Sequence, residues 1–208
     1  MRPSAAAIDA GLVGTVESID ITLQWDHTWT NGTVFEKVHH LVLFDFGIHW
    51  FDIVTRWLRG RRAQRVWASV VRTGAQQMKP PILAHAAIDY EGAQVRLNFN
   101  GHVRHGQEDR TVIGGSHGTL RSFGPSLSEQ AVSLHTAAGH ALAALEGTWF
   151  TSGFQGAMGE LLCAIEEKHA PANSAKQNLD SLALCFAALA SADSGQPQIP
   201  GEITRAAK

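Results

Sequence analysis

Apolar residues recur along the chain with two periods. Over positions 13–27, Glu17, Ile19, Ile21, Leu23 and Trp25 alternate with Val16, Ser18, Asp20, Thr22 and Gln24. A period of two belongs to a strand with one buried face, here the first set. Positions 39–58 are apolar almost throughout, from Leu41, Val42 and Leu43 to Trp57 and Leu58. That run is too long for a strand and predicts a largely buried helix stopped at Gly60. Period two returns at 65–72, 82–90 and 93–100, with Glu91-Gly92 as the turn between the last two. Shorter strands are predicted at 110–113, 119–123, 131–135 and 141–145. Helical spacing closes the chain. Phe154, Ala157, Met158, Leu161, Leu162 and Ile165 form one apolar face, and Leu179, Leu182, Ala183, Phe186, Leu189 and Ala190 form another.

The ends and loops complete the order. Residues 1–12, alanine-rich from Ser4, predict a leading helix that Gly11 can close. Residues 28–38 form a polar loop with a turn signal at Asn31-Gly32, and 196–208 a peripheral tail. Strands joined by short turns make an antiparallel sheet, and helices gathered on one face of it give an α+β fold. The expected architecture is one domain over 1–208: a large, open, mainly antiparallel sheet with helices on one side.

Composition narrows the function. A chain of 208 residues accommodates one ordinary domain. Lys and Arg number 17 against 19 Asp and Glu, so no basic surplus exists for nucleic acid. No apolar run is long enough to span a membrane and no signal-peptide core is present, which points to the cytoplasm. Cys163 and Cys185 sit in apolar helical stretches and read as buried free thiols. The 11 histidines include His39-His40 and His102-x-x-His105, but no set of convergent ligands is visible. No metal is expected, and these histidines read as surface or hydrogen-bonded groups.

The chemistry concentrates on the central helix. Asp45, His49, Asp52 and Arg56 sit at i, i+4, i+7 and i+11, a single stripe down one side. A histidine flanked by carboxylates has its protonated form favoured and its ring oriented, which suits a general acid/base. An ion-pair ladder ending on Arg56 is the plainer alternative. Gly47 lies inside the stripe. A mid-helix glycine costs about 1 kcal/mol relative to alanine and marks a close approach by another backbone or a ligand.

The string from Asp45 through Gly47 and His49 to Asp52, followed by Leu58-Arg59-Gly60, resembles the D-x-G-x-H-x-x-D…L-x-G signature of the Gfo/Idh/MocA oxidoreductases. Gly11-Leu12-Val13-Gly14 is similar to the segment that opens that family's C-terminal domain. The stretch Gly114-Gly115-Ser116-His117-Gly118 resembles one of its hairpins, and the last two helices its closing pair. The glycine-rich run that precedes the Asp in the family is replaced here by 39–44, starting with His39-His40.

The resemblance implies a glyceraldehyde-3-phosphate-dehydrogenase-like C-terminal domain that normally follows a Rossmann domain. It implies hydride transfer between the CH–OH group of a sugar or polyol and NAD or NADP. It makes His49 the acid/base and Asp45 its partner at the substrate, with Asp52 anchoring a substrate hydroxyl. In the loop before the helix, Trp29 and His27 are candidates to line the sugar cleft, with packing over the helix as the alternative for Trp29. The nucleotide half is missing from the sequence: no strand leads into G-x-G-x-x-G and a helix, and no Glu-Lys-Pro occurs. The expectation is therefore a substrate-binding half that binds no cofactor alone and is inactive without a separate Rossmann polypeptide. A non-catalytic sugar-binding or subunit-assembly module is the alternative, and a truncated gene product a third. Ile88, Tyr90, Val95, Leu97 and Phe99 exceed what one sheet face needs, which suggests a homo-oligomer through an exposed apolar sheet face.

Overall fold

The computed structural model describes residues 2–205. Met1 of the predicted leading helix and positions 206–208 of the predicted tail lie outside the described residues. The chain runs α1 (Arg2–Asp9), β1 (Val16–Gln24), two short 3-10 turns, a π-helical turn (Val42–Phe46) and α2 (Gly47–Trp57). It continues through β2 (Ala63–Val71), β3 (Leu83–Tyr90), β4 (Ala93–Asn100), β5 (Glu108–Gly115), β6 (Gly118–Ser126), β7 (Glu129–Thr136) and β8 (Gly139–Leu142). Helices α3 (Trp149–Glu167) and α4 (Asn178–Ser194) close it.

All the strands belong to one open sheet of order β2-β3-β4-β1-β5-β6-β7-β8. Every neighbouring pair is antiparallel except β1 with β4, which run parallel. The exception follows from connectivity. After β1 the chain crosses over through α2 to the far edge, and the β2-β3-β4 meander brings it back beside β1 in the same direction.

Alternation decides which residues are covered. Ala84, Ala86, Ile88 and Tyr90 of β3 lie opposite Phe99, Leu97, Val95 and Ala93 of β4. They join Ile19, Ile21 and Leu23 of β1, with Trp50, Phe51 and Val54 of α2, in one core. Helix α4 packs on β2 and α2 through small residues, burying Ala187 and Ala188. Strand β2 is a sheet edge, and its outward backbone groups are satisfied locally. Ser191 Oγ accepts from Ala68 N–H at 2.9 Å, and Val66 exchanges two backbone hydrogen bonds with Gln198. The predicted peripheral tail thus covers the edge strand over part of its length.

Four expectations change. The helix predicted over 39–58 starts later, at Leu41, and its first turn is π-helical, while α2 buries only one side, with Gly47, Trp50, Phe51, Val54 and Trp57 inward. Among the described residues no backbone of another element approaches Gly47: a Cβ there would meet at 3.1 Å the Val42 carbonyl of its own π-turn, with the Phe51 and Phe99 rings at ordinary contact distance. Secondly, Ile88, Tyr90, Val95, Leu97 and Phe99 are all buried in the helix-covered core and so cannot form an exposed apolar sheet face. The open face instead mixes exposed Trp67, Val71 and Phe123 with cross-strand ion pairs Arg65–Asp89 and Arg96–Asp20. Thirdly, the apolar face predicted on α3 is exposed, because α4 occupies the space over β2 and α2 and only Ala164 of α3 is buried. Consequently Cys163, on α3, is exposed, while Cys185 on α4 is buried and burial pushes its thiol up to about 12.

Candidate active site

The outward side of α2 and the turn before it carry the motif. His49 and Arg56 are exposed, and Asp45 and Asp52 are half-buried. Asp52 Oδ2 lies 3.6 Å from Arg56 Nε, and its backbone carbonyl accepts from Thr55 Oγ1 at 2.8 Å. Among the described residues no hydrogen bond joins His49 to Asp45 or to Asp52. The local backbone accounts for this on the Asp45 side. Asp45 belongs to the π-turn, whose i→i+5 bonding takes more residues per turn and rotates its side chain off the α-helical i, i+4 row. Half-exposed carboxylates also keep much of their hydration and need no internal partner. The stripe is one surface on which Asp52 pairs with Arg56, while Asp45 and His49 make no hydrogen bond to each other or to Asp52 among the described residues. One imidazole and two carboxylates there can accept or donate protons and hydrogen bonds to a hydroxylated ligand.

An aromatic cluster supports this surface from the end of β1. His27 stacks on Phe46 of the π-turn with ring centroids 4.1 Å apart, and meets Trp25 edge-on at 5.4 Å. Trp25 in turn contacts Trp50 of α2 at 5.6 Å. His27 is only 9% exposed, and burial holds its imidazole down at about 4. It is therefore neutral near pH 7, and its packing fixes the loop against the motif helix. The small cavity beside it, ≈ 10 Å³ and lined by Trp25, His27, Phe46 and Trp50, is no larger than one water. Trp29 is 56% exposed and leans on Phe35 at 5.5 Å, so its ring presents a face to solvent above His27. Of the candidates, Asp45, His49, Asp52 and Trp29 are thus accessible, and His27 is enclosed.

A second concavity was not anticipated. Asp109, only 3% exposed, lines a cavity of ≈ 510 Å³ together with Ser4, Trp57, Ser122, Gln130 and Trp149. Its Oδ2 has no partner among the described residues, and burial pushes its carboxyl up to about 7. The signal was in the alternation: Asp109 shares strand parity with Thr111 and Ile113, which face the core.

No cradle for a dinucleotide exists among the described residues. The run from Gly114 to Gly118 forms the β5–β6 hairpin turn, where Ser116 Oγ accepts from Thr15 N–H at 3.0 Å, and no helix follows it. The pyrophosphate of a nicotinamide cofactor needs the N–H groups of a glycine-rich turn opening a helix, so these residues do not fit that group.

An open sheet with one parallel pair at its centre, crossed by a helix, is an arrangement this chain shares with solved oxidoreductase structures. The chain belongs to the GFO/IDH/MocA C-terminal domain family, whose model matches residues 2–121, more than half the chain. Three similar solved structures share the fold. An oxidoreductase from Agrobacterium radiobacter, in complex with NAD+, L-tartaric acid and magnesium, has a TM-score of 0.80 at 19% identity, over 96% of this chain and 61% of its own. An oxidoreductase domain protein from Kribbella flavida gives 0.78 at 16%, over 97% and 63%. The WlbA dehydrogenase from Bordetella pertussis, in complex with NADH and UDP-GlcNAcA, gives 0.73 at 18%, over 95% and 58%. The chain thus spans about three fifths of the length of these structures. No curated protein sequence matches it. No helix among the described residues is long and apolar enough to cross a membrane.

Proposed function

We propose that this chain is the substrate-binding half of an NAD(P)-dependent oxidoreductase acting on the CH–OH group of a sugar or polyol. The observation that carries the reading is the exposed His49, set between two accessible carboxylates on the helix that bears the family motif. In this reading His49 takes the hydroxyl proton as the carbinol carbon is oxidised. Asp45 and Asp52 accept hydrogen bonds from neighbouring hydroxyls, Trp29 packs on an apolar sugar face, and His27 braces the loop from below. In this reading the described residues lack the glycine-rich turn and helix that would cradle the cofactor's pyrophosphate. A nucleotide-binding domain outside these residues would supply that part, and these residues by themselves would be inactive. The relatives solved with UDP-GlcNAcA and L-tartaric acid lend support to a polyhydroxylated substrate. Assembly through the open sheet face, where Trp67, Val71 and Phe123 are exposed, and a cytoplasmic location belong to the same reading.

Two measurements test it. Fluorescence titration of NADH into the chain alone should show no binding, and a micromolar Kd would overturn the absence of a cofactor site. With a complementing nucleotide-binding partner supplied, His49→Ala should lower kcat by about 10²–10⁴-fold. An unchanged rate removes His49 from the reaction. The absence of a hydrogen bond orienting His49 favours a second reading, a non-catalytic sugar-binding or assembly module. Saturable sugar binding without turnover in the complemented protein would select it.

A further inference from the structure

A second cluster of titratable groups lies apart from the α2 stripe, where the chain enters the π-turn. His39 Nε2 lies 2.8 Å and His40 Nε2 2.7 Å from the same oxygen, Asp193 Oδ1. The three donor atoms are all within 4.8 Å of one another. We propose that His39, His40 and Asp193 form a binding site for one divalent transition-metal ion of the zinc class.

The backbone supplies the first argument. Side chains of consecutive residues ordinarily diverge. Here the two rings lie side by side, with centroids 3.8 Å apart. That convergence depends on His40 holding φ +46, the left-handed region that residues with a Cβ rarely occupy. Glycine takes that conformation freely, yet the position carries an imidazole. Strain of this kind persists where surrounding contacts over-determine it, and it gathers at ligand sites.

Hydrogen bonding leaves the arrangement unexplained. If both imidazoles donate from Nε2, a single carboxylate oxygen takes both bonds. As a ligand set the same atoms are ordinary. Two imidazole nitrogens and one carboxylate oxygen suit zinc and its neighbours, and not magnesium or calcium, which take oxygen. Each imidazole would present its Nε2 lone pair to the ion and carry its proton on Nδ1, and the buried His40 Nδ1–H would then need a water as acceptor. Metal–ligand bonds of about 2.1 Å set tetrahedral donors about 3.4 Å apart, so each imidazole nitrogen, now 2.8 or 2.7 Å from Asp193 Oδ1, would move outward from that oxygen by well under about 1 Å. Water would complete the coordination. Access exists, because the His39 and Asp193 side chains are 45% and 34% exposed.

The site also has a mechanical consequence. Asp193 lies in the last turn of α4, 153 residues beyond His40. An ion there would staple the end of α4 to the entrance of the motif helix. That sequence separation is why the histidine pair alone revealed no third ligand.

The test is zinc titration of the full, untagged chain by calorimetry and by competition with a chromogenic chelator, with Tm recorded in parallel. Wild type should take up one zinc and gain in Tm. Asp193→Asn and His39→Ala should each weaken the affinity about 10-fold or more and abolish the Tm gain. His40→Gly, which suits the left-handed backbone and so preserves the fold, should do the same. Magnesium should have no effect. The proposal is overturned if wild type takes up no zinc, or if uptake is the same in these variants, placing the ion on other histidines. A Tm gain of equal size with magnesium also overturns it.

Discussion

Replacing Asp109 by asparagine should change how folded stability responds to pH. Two buried groups act in opposite directions. Burial lowers His27 from 6.5 to about 4. Between those values the unfolded chain takes up a proton that the folded chain refuses, so stability falls as pH drops from 6.5 to about 4. The interval corresponds to about 3 kcal/mol at 1.36 kcal/mol per unit. Burial, reinforced by the nearby Glu108 charge, raises Asp109 from 3.8 to about 7. There the folded chain keeps a proton that the unfolded chain releases, so stability falls as pH rises from 3.8 to about 7, by about 4 kcal/mol. Both side chains are under a tenth exposed, so solvent screening is a minor correction. Across pH 4–6.5 the two effects nearly cancel. Asp26 and Asp89, held low by hydrogen bonds from Thr28 and Arg65, act below that window. His40, lowered by burial, adds to the His27 effect but is common to both proteins. Urea unfolding followed by tryptophan fluorescence at a series of pH values should show Asp109→Asn gaining on wild type as pH rises, by about 4 kcal/mol between pH 4 and 7. His27→Phe should gain on wild type in the other direction, as pH falls from 6.5 to 4. Parallel curves for Asp109→Asn and wild type would refute the argument, because they would mean that Asp109 is ionised in the folded chain.

Two packing predictions use the same assay. Ser191→Ala strips the partner from the Ala68 N–H on the edge strand, where Ser191 itself is fully buried, and should cost about 1–3 kcal/mol; no loss would mean that β2 frays there already. Trp50 is 2% exposed and meets Trp25 and Phe99 edge-on, so Trp50→Ala should cost about 3–5 kcal/mol. Trp50→Phe should cost much less, since Trp50 Nε1 has no partner to lose among the described residues; equal losses for the two would contradict that environment.

Much of the fold was legible in local pattern. Alternation alone identified Ile19, Ile21 and Leu23 as inward but missed at the start of β1, where a register shift buries Val16 and exposes Glu17; the hairpin signal at Glu91-Gly92 joined β3 to β4 where expected. The motif spacing put His49 and Asp52 on one helix and pointed to the family. What local pattern lacked was everything decided by distant parts of the chain. The parallel β1–β4 pair requires a crossover, which no window of residues displays. The π-turn that carries Asp45 off the i, i+4 row left no mark in the spacing, and its Phe46 stacks on His27, a residue distant in sequence.

Period assigns residues to a face without saying which face will be covered. The same apolar count, in Val95, Leu97 and Phe99, suggested an exposed sheet surface and proved to be the core, because α2 and α4 lie over that face. On α3 the error ran the other way: six apolar residues at helical spacing predicted burial, and α4 had already taken the covering position. An apolar stripe is a demand for a partner, and which elements lie over the available faces decides whether the chain itself meets it. By that argument the exposed stripe of α3 and the exposed motif face of α2 raise one question, namely what covers them. Both ask it of a chain that accounts for about three fifths of the length of its structural relatives.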